Sequence, residues 1–377
     1  MADGHIYLDY NATTAAHRDV VEAVSAVMAH ASNPSSVHGP GRAARQRVEA
    51  ARASVARLVG AEAANVIFTS GGTEADNLAL KGNGERRLMI AASEHGAILA
   101  PALLHDAGAV ILAVDGDGLL DLDGLAAALR ASDKPALVSV MLANNETGVI
   151  QPLAKIAETA KAHGALVHTD AVQAAGKIPV DIASLGVDML SLSGHKIGGP
   201  QGVGALVLAS DLALEAEIVG GGQERGRRSG TENVAGIVGF GRAAEIATEN
   251  LSDYAGLARL RDDMERRLAE IAPDRRVFGD RVARLPNTSC ATMPGVDSQT
   301  QVMAFDLAGI AVSAGSACSS GKVAASHVLE AMGIEREVAA TALRVSLGWR
   351  TSAAEIDRFV EVWAEIYQRA GRRVDAA

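Results

Sequence analysis

The chain of 377 residues carries a formal net charge of −10 at pH 7, which argues against non-specific binding to nucleic acid or anionic membranes. Its 48% hydrophobic and 21% charged residues are ordinary for a globular protein of one or two domains. No apolar run approaches the roughly 18 residues that a membrane span needs. The first residues contain neither a basic nor an apolar region, so we expect no secretory signal. Two cysteines, Cys290 and Cys318, are too few for a disulfide framework and fit a reducing cytoplasm.

Near the start of the chain, apolar residues recur with helical periodicity over residues 17–31 and 41–60, which predicts two helices. Seven short apolar or β-branched runs follow, each separated by a loop or helix: 65–70, 87–93, 109–115, 136–142, 165–170, 187–193 and 204–209. In these runs apolar and polar residues do not alternate, which predicts strands buried on both faces in a mostly parallel sheet covered by helices. This is an α/β fold. Residues 234–272 predict a nearly continuous helix, and residues 273–377 predict a smaller α+β domain.

A Gly-rich turn lies between the first predicted strand and the helix after it, in FTSGGTEADNLAL (68–80). Thr73 and Glu74 begin that helix, and bare N–H groups at a helix N-terminus bind anions. The same residues also suit a plain turn. No P-loop and no GxGxxG motif occurs, so a nucleotide site is disfavoured.

Four more polar residues follow predicted strands: His95, Asn145, Asp170 and Lys196. The carboxyl ends of parallel strands meet at one edge of a sheet, so we expect these side chains and Thr73 to line one crevice. Each has a simpler alternative, because His95 also suits a cap, Asn145 a turn and Asp170 a helix N-cap. His168 and Asp170 share a strand face, which leaves a metal pair as a further alternative.

Lys196 lies in the Ser/Gly-rich loop SLSGHKIGGPQG (191–202), in a chain with seven lysines and 28 arginines. Unlike a guanidinium, a desolvated amine can lose its proton and become a nucleophile. An anion site, a carboxylate, a histidine and such a lysine together suit pyridoxal phosphate. Its aldehyde binds a lysine amine, its pyridinium nitrogen pairs with an acid, and its phosphate takes N–H and hydroxyl donors.

A series of motifs runs along almost the whole chain, from about residue 6 to 365. They are LDYNATT (8–14), NPSSVHGPG (33–41), FTSGGTEADN, SEHGAIL, NNETG, HTDAVQAAGK, SGHKIGGPQGVGAL, GGGQERGRRSGT and SAGSACSSG (313–321). In identity and order they closely resemble the cysteine desulfurases of the NifS and IscS group. The resemblance implies an aminotransferase fold of type I with a large pyridoxal-phosphate-binding domain, residues 13–255. It also implies a small domain, residues 1–12 and 256–377, that carries a catalytic-cysteine loop.

The resemblance further implies which residues bind the cofactor. Lys196 would hold pyridoxal phosphate covalently and carry the Cα proton of the substrate. Asp170 would pair with the pyridinium nitrogen, and Gln173 would bond the phenolic oxygen. His95 would stack on the ring and act in proton transfer, and Asn145 would also contact the cofactor. The implied phosphate donors are Gly72, Thr73, Ser193 and His195, with Thr231 from the other subunit of a homodimer.

Small residues surround Cys318 in SAGSACSSGK (313–322), which suits a thiol that must move, although an inert buried cysteine is the simpler alternative. The resemblance implies that the Cys318 thiolate takes sulfur from L-cysteine as a persulfide, leaves L-alanine, and passes the sulfur to an acceptor or iron–sulfur scaffold protein. Asn145 and Arg344 would orient the substrate, since an arginine fork suits a carboxylate. Cys290 alternates with polar residues and is expected to be structural.

The sequence departs from the family pattern in places, and the first is the absence of the usual proline after ATT (12–14), which we expect to be harmless. Gly72 stands where many relatives have alanine, which we expect to be a conservative change. The printed sequence ends with IYQRAGRRVDAA and shows no counterpart of the tail that engages the scaffold in the IscS-like branch, so we expect a NifS-like enzyme. The alternatives are a selenocysteine lyase or aminotransferase that does not need Cys318, a cofactor-free sulfur carrier, and a metallohydrolase built on His168 and Asp170.

Overall fold

The computed structural model describes residues 5–30, 32–314 and 326–374, so the prediction for Cys318 lies outside the described residues. The strands are β1 Ile6–Tyr7, β2 Val66–Thr69, β3 Arg87–Ala91, β4 Val110–Leu112, β5 Ala136–Ser139, β6 Leu166–Asp170, β7 Met189–Ser193, β8 Gly204–Leu208, β9 Thr288–Thr292, β10 Ile310–Ala311, β11 Ser313–Ala314 and β12 Ala342–Ser346. Strands β2 to β8 form one sheet in the order β2-β8-β7-β6-β5-β3-β4. In that sheet β8 is antiparallel to both neighbours and the other pairs are parallel. The predicted α/β class with a mostly parallel sheet is confirmed.

The helices are α1 Arg18–Met28, α2 Gly39–Leu58, α3 Gly72–Lys81, α4 Gly96–His105, α5 Leu122–Ala131, α6 Leu153–Lys161, α7 Ile182–Leu185, α8 Val234–Glu249, α9 Leu251–Ala255, α10 Leu257–Ile271, α11 Ser298–Leu307, α12 His327–Ala331, α13 Arg336–Ala339 and α14 Ala353–Val374. They cover both faces of the large sheet. Phe68 faces the core layer that contains α2 and α8, whereas the adjacent Ile67 faces the layer that contains α3 and α4. Burial on both faces explains why the strands read as unbroken apolar runs. In the described ranges no helix has the length and apolarity to cross a bilayer.

The prediction of one nearly continuous helix over 234–272 is wrong, because the segment divides into α8, α9 and α10. Asn250, between α8 and α9, has φ −101° and ψ 15° and leaves the helical region. Its short polar side chain competes for backbone hydrogen bonds, which disfavours a helix interior. Gly256 separates α9 from α10, where the backbone freedom of glycine weakens the helix. Two local breaks of this kind leave the overall helical period of the sequence intact.

A second core lies apart from the large sheet. Strands β11, β12 and β9 form an antiparallel sheet in that order, and α10, α11 and α14 contribute to the same hydrophobic cluster. The beginning of the chain reaches this unit, because β1 pairs in parallel with β10. The domain bounds 13–255, and 1–12 with 256–377, stay a prediction. Cys290 is fully buried on β9, and burial raises the pKa of its thiol, as suits a structural cysteine.

A buried ion pair fixes the Gly-rich segment before α8 onto β2. Arg52 of α2 donates two bonds to the Glu224 carboxylate, at 2.6 and 2.9 Å, and Phe68 N–H donates to the same carboxylate at 2.9 Å. The two side chains are only 7% and 3% exposed. Glu224 has a φ of 45°, which is unfavourable for a residue with a side chain, so these contacts hold a strained backbone.

Removing Arg52 should destabilise the fold, because the Glu224 charge is then buried without its ion-pair partner. We expect Arg52→Met to lower the free energy of unfolding by about 3–5 kcal/mol, measured by denaturant titration. The matched control is Arg18→Met, since Arg18 pairs with Glu22 on the surface and its side chain is 89% exposed. Similar effects of the two variants would mean that the buried pair stabilises the fold no more than a surface pair does.

Candidate active site

A cavity of about 670 Å³ opens at the edge where β2, β3, β5, β6 and β7 end. Its wall contains Asp170 and Ser193 at the ends of strands, Gly72 and Thr73 in the first turn of α3, and His95 and Asn145 in the loops after β3 and β5. The turns after β6 and β7 contribute Gln173, His195 and Lys196. Arg344 reaches the same cavity from β12 of the second unit. Ten of the twelve residues assigned a role thus line one cavity. Thr231 lies outside it, in a neighbouring pocket and exposed, and Cys318 is not among the described residues.

The start of α3 forms one end of the cavity. The N–H groups of its first turn lie ahead of the first intrahelical bonds and are available to an anion. A Cβ atom on Gly72 would approach Val172 Cγ2 to 2.9 Å, so alanine there requires Val172 to shift. The expectation that glycine here is a conservative change from the alanine of many relatives stays a prediction. The nearby Glu74 carboxylate is paired with Arg228 at 2.9 Å, which offsets its charge beside the anion site.

Lys196 lies in a short 3₁₀ turn between β7 and β8, Gly194–Ile197. The turn ends at Gly198, whose φ of 82° suits glycine. The Lys196 Nζ donates to the backbone oxygens of Asn11 and Ala12, at 2.6 and 2.9 Å. The N-terminal segment before α1 therefore holds the amine at the cavity wall.

Asp170 ends β6 and is 8% exposed. Its Oδ1 accepts from Val172 N–H at 2.8 Å, so it braces the following turn rather than capping a helix. Burial raises the pKa of Asp170 to about 6, although that bond and the Lys196 charge act against the shift. A second carboxyl, Asp76, lines the cavity, and burial and the Asp170 charge raise its pKa well above the ordinary value. Two buried carboxyls make this wall suited to a cation.

The cavity contains two histidines, His95 and His195, and burial favours the neutral form of both. His95 caps α4, and its Nδ1 accepts from Ala97 N–H at 3.1 Å, which leaves the ring hydrogen on Nε2. Burial, and then the charges of Lys196 and His327, lower the pKa of His95. His195 contacts Thr13 Oγ1 through Nδ1 at 3.1 Å, and burial lowers its pKa to about 4.

Arg344 joins the second unit to the large sheet. Its guanidinium donates to the Asn145 backbone oxygen at 3.1 Å and to Asp9 Oδ1 at 2.6 Å. Its Nε is buried and has no hydrogen-bond partner among the described residues. One carboxylate and one backbone oxygen thus hold the guanidinium in place at the cavity.

His168 does not lie in the arrangement that a metal pair needs. Both ring nitrogens contact serine hydroxyls at 2.9 Å, Nδ1 with Ser139 and Nε2 with Ser191. Burial lowers the pKa of His168 to about 3, so it is neutral. In the ranges 5–30, 32–314 and 326–374 no group of three or more potential metal ligands occurs.

The residues present fit pyridoxal phosphate, the cofactor that the sequence resemblance implies. The helix start supplies N–H groups for a phosphate, Lys196 supplies an amine, and the buried carboxyls of Asp76 and Asp170 line the same cavity. Asp76 Oδ1 is buried with no hydrogen-bond partner among the described residues, which further favours a cationic ligand. Sequence reasoning missed Asp76, Asp9 and Asn11, although each lies inside a motif that was recognised.

Comparison with known proteins gives the same likeness over nearly the entire chain. Residues 6–359 match the family model described as aminotransferase class-V. A cysteine desulfurase of Cereibacter sphaeroides is 46% identical over 368 residues, which cover 95% of this chain and 94% of the relative. An IscS-like cysteine desulfurase of Mycobacterium tuberculosis is 41% identical over 386 residues, 98% of each chain. A solved NifS-like protein from Rickettsia africae ESF-5 has a TM-score of 0.90 at 39% identity, over 97% of this chain and 99% of that one.

Proposed function

The chain belongs to the aminotransferase class-V family and is a pyridoxal-phosphate-dependent cysteine desulfurase, and on that basis we propose which of its residues perform the reaction. The observation that carries the assignment is one cavity that contains an amine, Lys196, a buried carboxylate, Asp170, and the open N-terminus of α3. Bound there, pyridoxal phosphate supplies an electron-withdrawing ring that weakens bonds at the α-carbon of an amino acid.

Lys196 holds the cofactor covalently and takes the α-proton at Nζ. The Asn11 and Ala12 oxygens fix where that nitrogen lies. Asp170 keeps the ring nitrogen protonated, since a buried carboxylate is stabilised by an adjacent cation. Gly72, Thr73, Ser193 and His195 bind the phosphate, and Gln173 donates to the phenolic oxygen.

Arg344 and Asn145 orient L-cysteine through its carboxylate. Arg344 offers the planar fork that carboxylates prefer, and its bond to the Asn145 backbone keeps the two residues together. His95 lines the cavity and would lie against the cofactor ring. Because its Nδ1 accepts from Ala97 N–H, the ring hydrogen of His95 is on Nε2, where it is available for proton transfer to the substrate.

Cys318 receives the sulfur. Its thiolate attacks the sulfur of L-cysteine, an S–S bond forms and the Cβ–S bond breaks, and the carbon takes a proton. The net change is that L-cysteine and the Cys318 thiol become L-alanine and a Cys318 persulfide. Cys290 cannot substitute, because it is fully buried on β9.

A homodimer and a sulfur acceptor complete the proposal. Thr231 is exposed and lies outside its own cavity, which suits a residue that reaches the phosphate of the other subunit. Val219, in the preceding segment, is 80% exposed and supplies apolar surface for that contact.

The persulfide then passes its sulfur to an iron–sulfur scaffold protein or to another acceptor. We place the enzyme in the cytoplasm, because Cys290, the cysteine that the structure describes, is an unpaired thiol.

The experiment that tests this function supplies the purified chain with pyridoxal phosphate, L-cysteine and a reductant, and measures alanine and sulfide. We expect equal amounts of alanine and sulfide. If no alanine is formed, the proposed activity is overturned.

Asp170→Asn should retain bound cofactor but turn over about ten- to a hundredfold more slowly, because a charged hydrogen bond worth roughly 1.5–3 kcal/mol is lost. Unchanged turnover in this variant would leave Asp170 only the role of bracing its turn.

A further inference from the structure

Lys177 is an ionisable residue that lies directly behind the cavity and has no part in the steps above. It follows β6 in the turn that carries Gln173, and it is only 2% exposed. A buried amine without an acidic partner is uncommon, because burial disfavours the charged form. Burial, and then the charges of Lys196 and Arg344, lower the pKa of Lys177 well below its ordinary value.

The contacts of Lys177 are with two amide oxygens. Its Nζ donates to Gln173 Oε1 at 2.7 Å and to Asn11 Oδ1 at 2.8 Å. In both contacts the amine of Lys177 is the donor. Asn11 Oδ1 also accepts from Asn287 at 3.1 Å, so it keeps a partner if Lys177 is removed. Gln173 Oε1 has no other described partner, and its position therefore depends on Lys177.

These contacts determine which way the Gln173 amide faces. Gln173 Nε2 donates to the Asn11 backbone oxygen at 2.9 Å, while Oε1 accepts from Lys177. A flipped amide would place its N–H against the Lys177 hydrogens and its oxygen against the Asn11 oxygen, which are two repulsive contacts. The same Asn11 oxygen accepts from Lys196 Nζ at 2.6 Å. The network thus runs from Lys177 through Gln173 and Asn11 to the amine of the active site.

We propose that Lys177 is a positioning residue that holds the Gln173 oxygen away from the cavity, so that the remaining amide hydrogen of Gln173 faces the phenolic oxygen of the cofactor. This inference rests on the proposed function, since it assigns Gln173 a bound partner. Lys177 itself does not line the cavity and acts only through Gln173 and Asn11.

The test uses Lys177→Met in the full chain, because methionine preserves length and removes the donor. Two properties of the bound cofactor are measured: its affinity for the apoprotein and the pH midpoint of its visible absorbance change. We expect the affinity to fall about tenfold, the effect of one misplaced buried hydrogen bond. The midpoint should move to higher pH by about half a unit to one unit, because a lost donor no longer stabilises the anionic oxygen. Lys155→Met, at an exposed lysine, is the matched control and should move neither property.

A second variant keeps the inference testable if Lys177→Met folds poorly. Gln173→Leu combined with Lys177→Met removes both partners, which leaves no buried oxygen without a donor and is expected to fold. If Lys177 acts through Gln173, the double variant and Gln173→Leu alone should have the same midpoint and affinity. A further shift in the double variant, or a lower unfolding midpoint of Lys177→Met with unchanged cofactor properties, would overturn the inference. Wild-type protein that binds no pyridoxal phosphate would overturn the proposed function as well.

Discussion

Cys318→Ser should retain the visible absorbance of the bound cofactor and still change that spectrum when L-cysteine is added, yet turn over at least about a thousandfold more slowly. Binding of cofactor and substrate does not use the thiol, whereas sulfur transfer does. A serine hydroxyl is scarcely ionised at neutral pH and is a poor nucleophile toward sulfur. Alanine and sulfide release in steady state measures the loss.

The control for this variant is Cys290→Ser. Cys290 is fully buried on β9, so a hydroxyl there should lower the free energy of unfolding by about 1–3 kcal/mol and leave the turnover of folded enzyme unchanged. Intact mass after exposure of wild-type protein to L-cysteine without reductant should show one added sulfur, absent in Cys318→Ser. Desulfuration by Cys318→Ser at the wild-type rate would favour a lyase or an aminotransferase that does not need the thiol.

Lys196→Ala is the second variant with a large expected effect. The variant has no amine to hold the cofactor covalently and no base for the α-proton, so turnover should fall about a thousandfold or more. Cofactor should still enter the cavity, because the N-terminus of α3 and Asp170 are unchanged. Turnover and the visible spectrum of the dialysed protein measure the two effects separately.

Borohydride reduction of the wild-type complex, followed by peptide mapping, should place the cofactor on Lys196. The structure makes Lys177 the informative alternative, because its amine also contacts Asn11. A label on Lys177 would exchange the roles assigned to the two lysines. Lys155→Ala, at an exposed position on α6, should retain the wild-type spectrum and rate.

The large sheet could be predicted from the sequence because its strands are buried on both faces. Such strands have unbroken apolar runs, and all seven runs correspond to strands, as at 65–70 for β2 and 204–209 for β8. The antiparallel orientation of β8 could not be predicted, because an apolar run does not indicate in which direction its strand runs in the sheet. The breaks around α9 were also missed, because single residues end those helices while the surrounding period continues.

The meeting of Thr73, His95, Asn145 and Asp170 in one cavity could be predicted because chain direction in a parallel sheet determines where strands end. The contacts that hold those residues could not. Arg344 binds Asp9 across 335 positions of sequence, and this pairing exists only after the second unit has packed against the sheet. Lys177 lies inside the motif HTDAVQAAGK, but its role could not be predicted, because that role depends on which atoms of Gln173 and Asn11 it contacts.

The reversed strand β8 also bears on the order in which the protein folds. Strand β2 borders the sheet and, among the strands that the structure describes, pairs only with β8, which lies far later in the sequence. Strands β7 and β8 are close in sequence and can pair early. Strand β2 can pair with β8 only after the long stretch of chain between them has closed into a loop, which slows folding. On the ribosome, β2 emerges well before the strand that pairs with it. The anion site at the start of α3 is therefore expected to be completed late, so that cofactor capture follows assembly of the sheet.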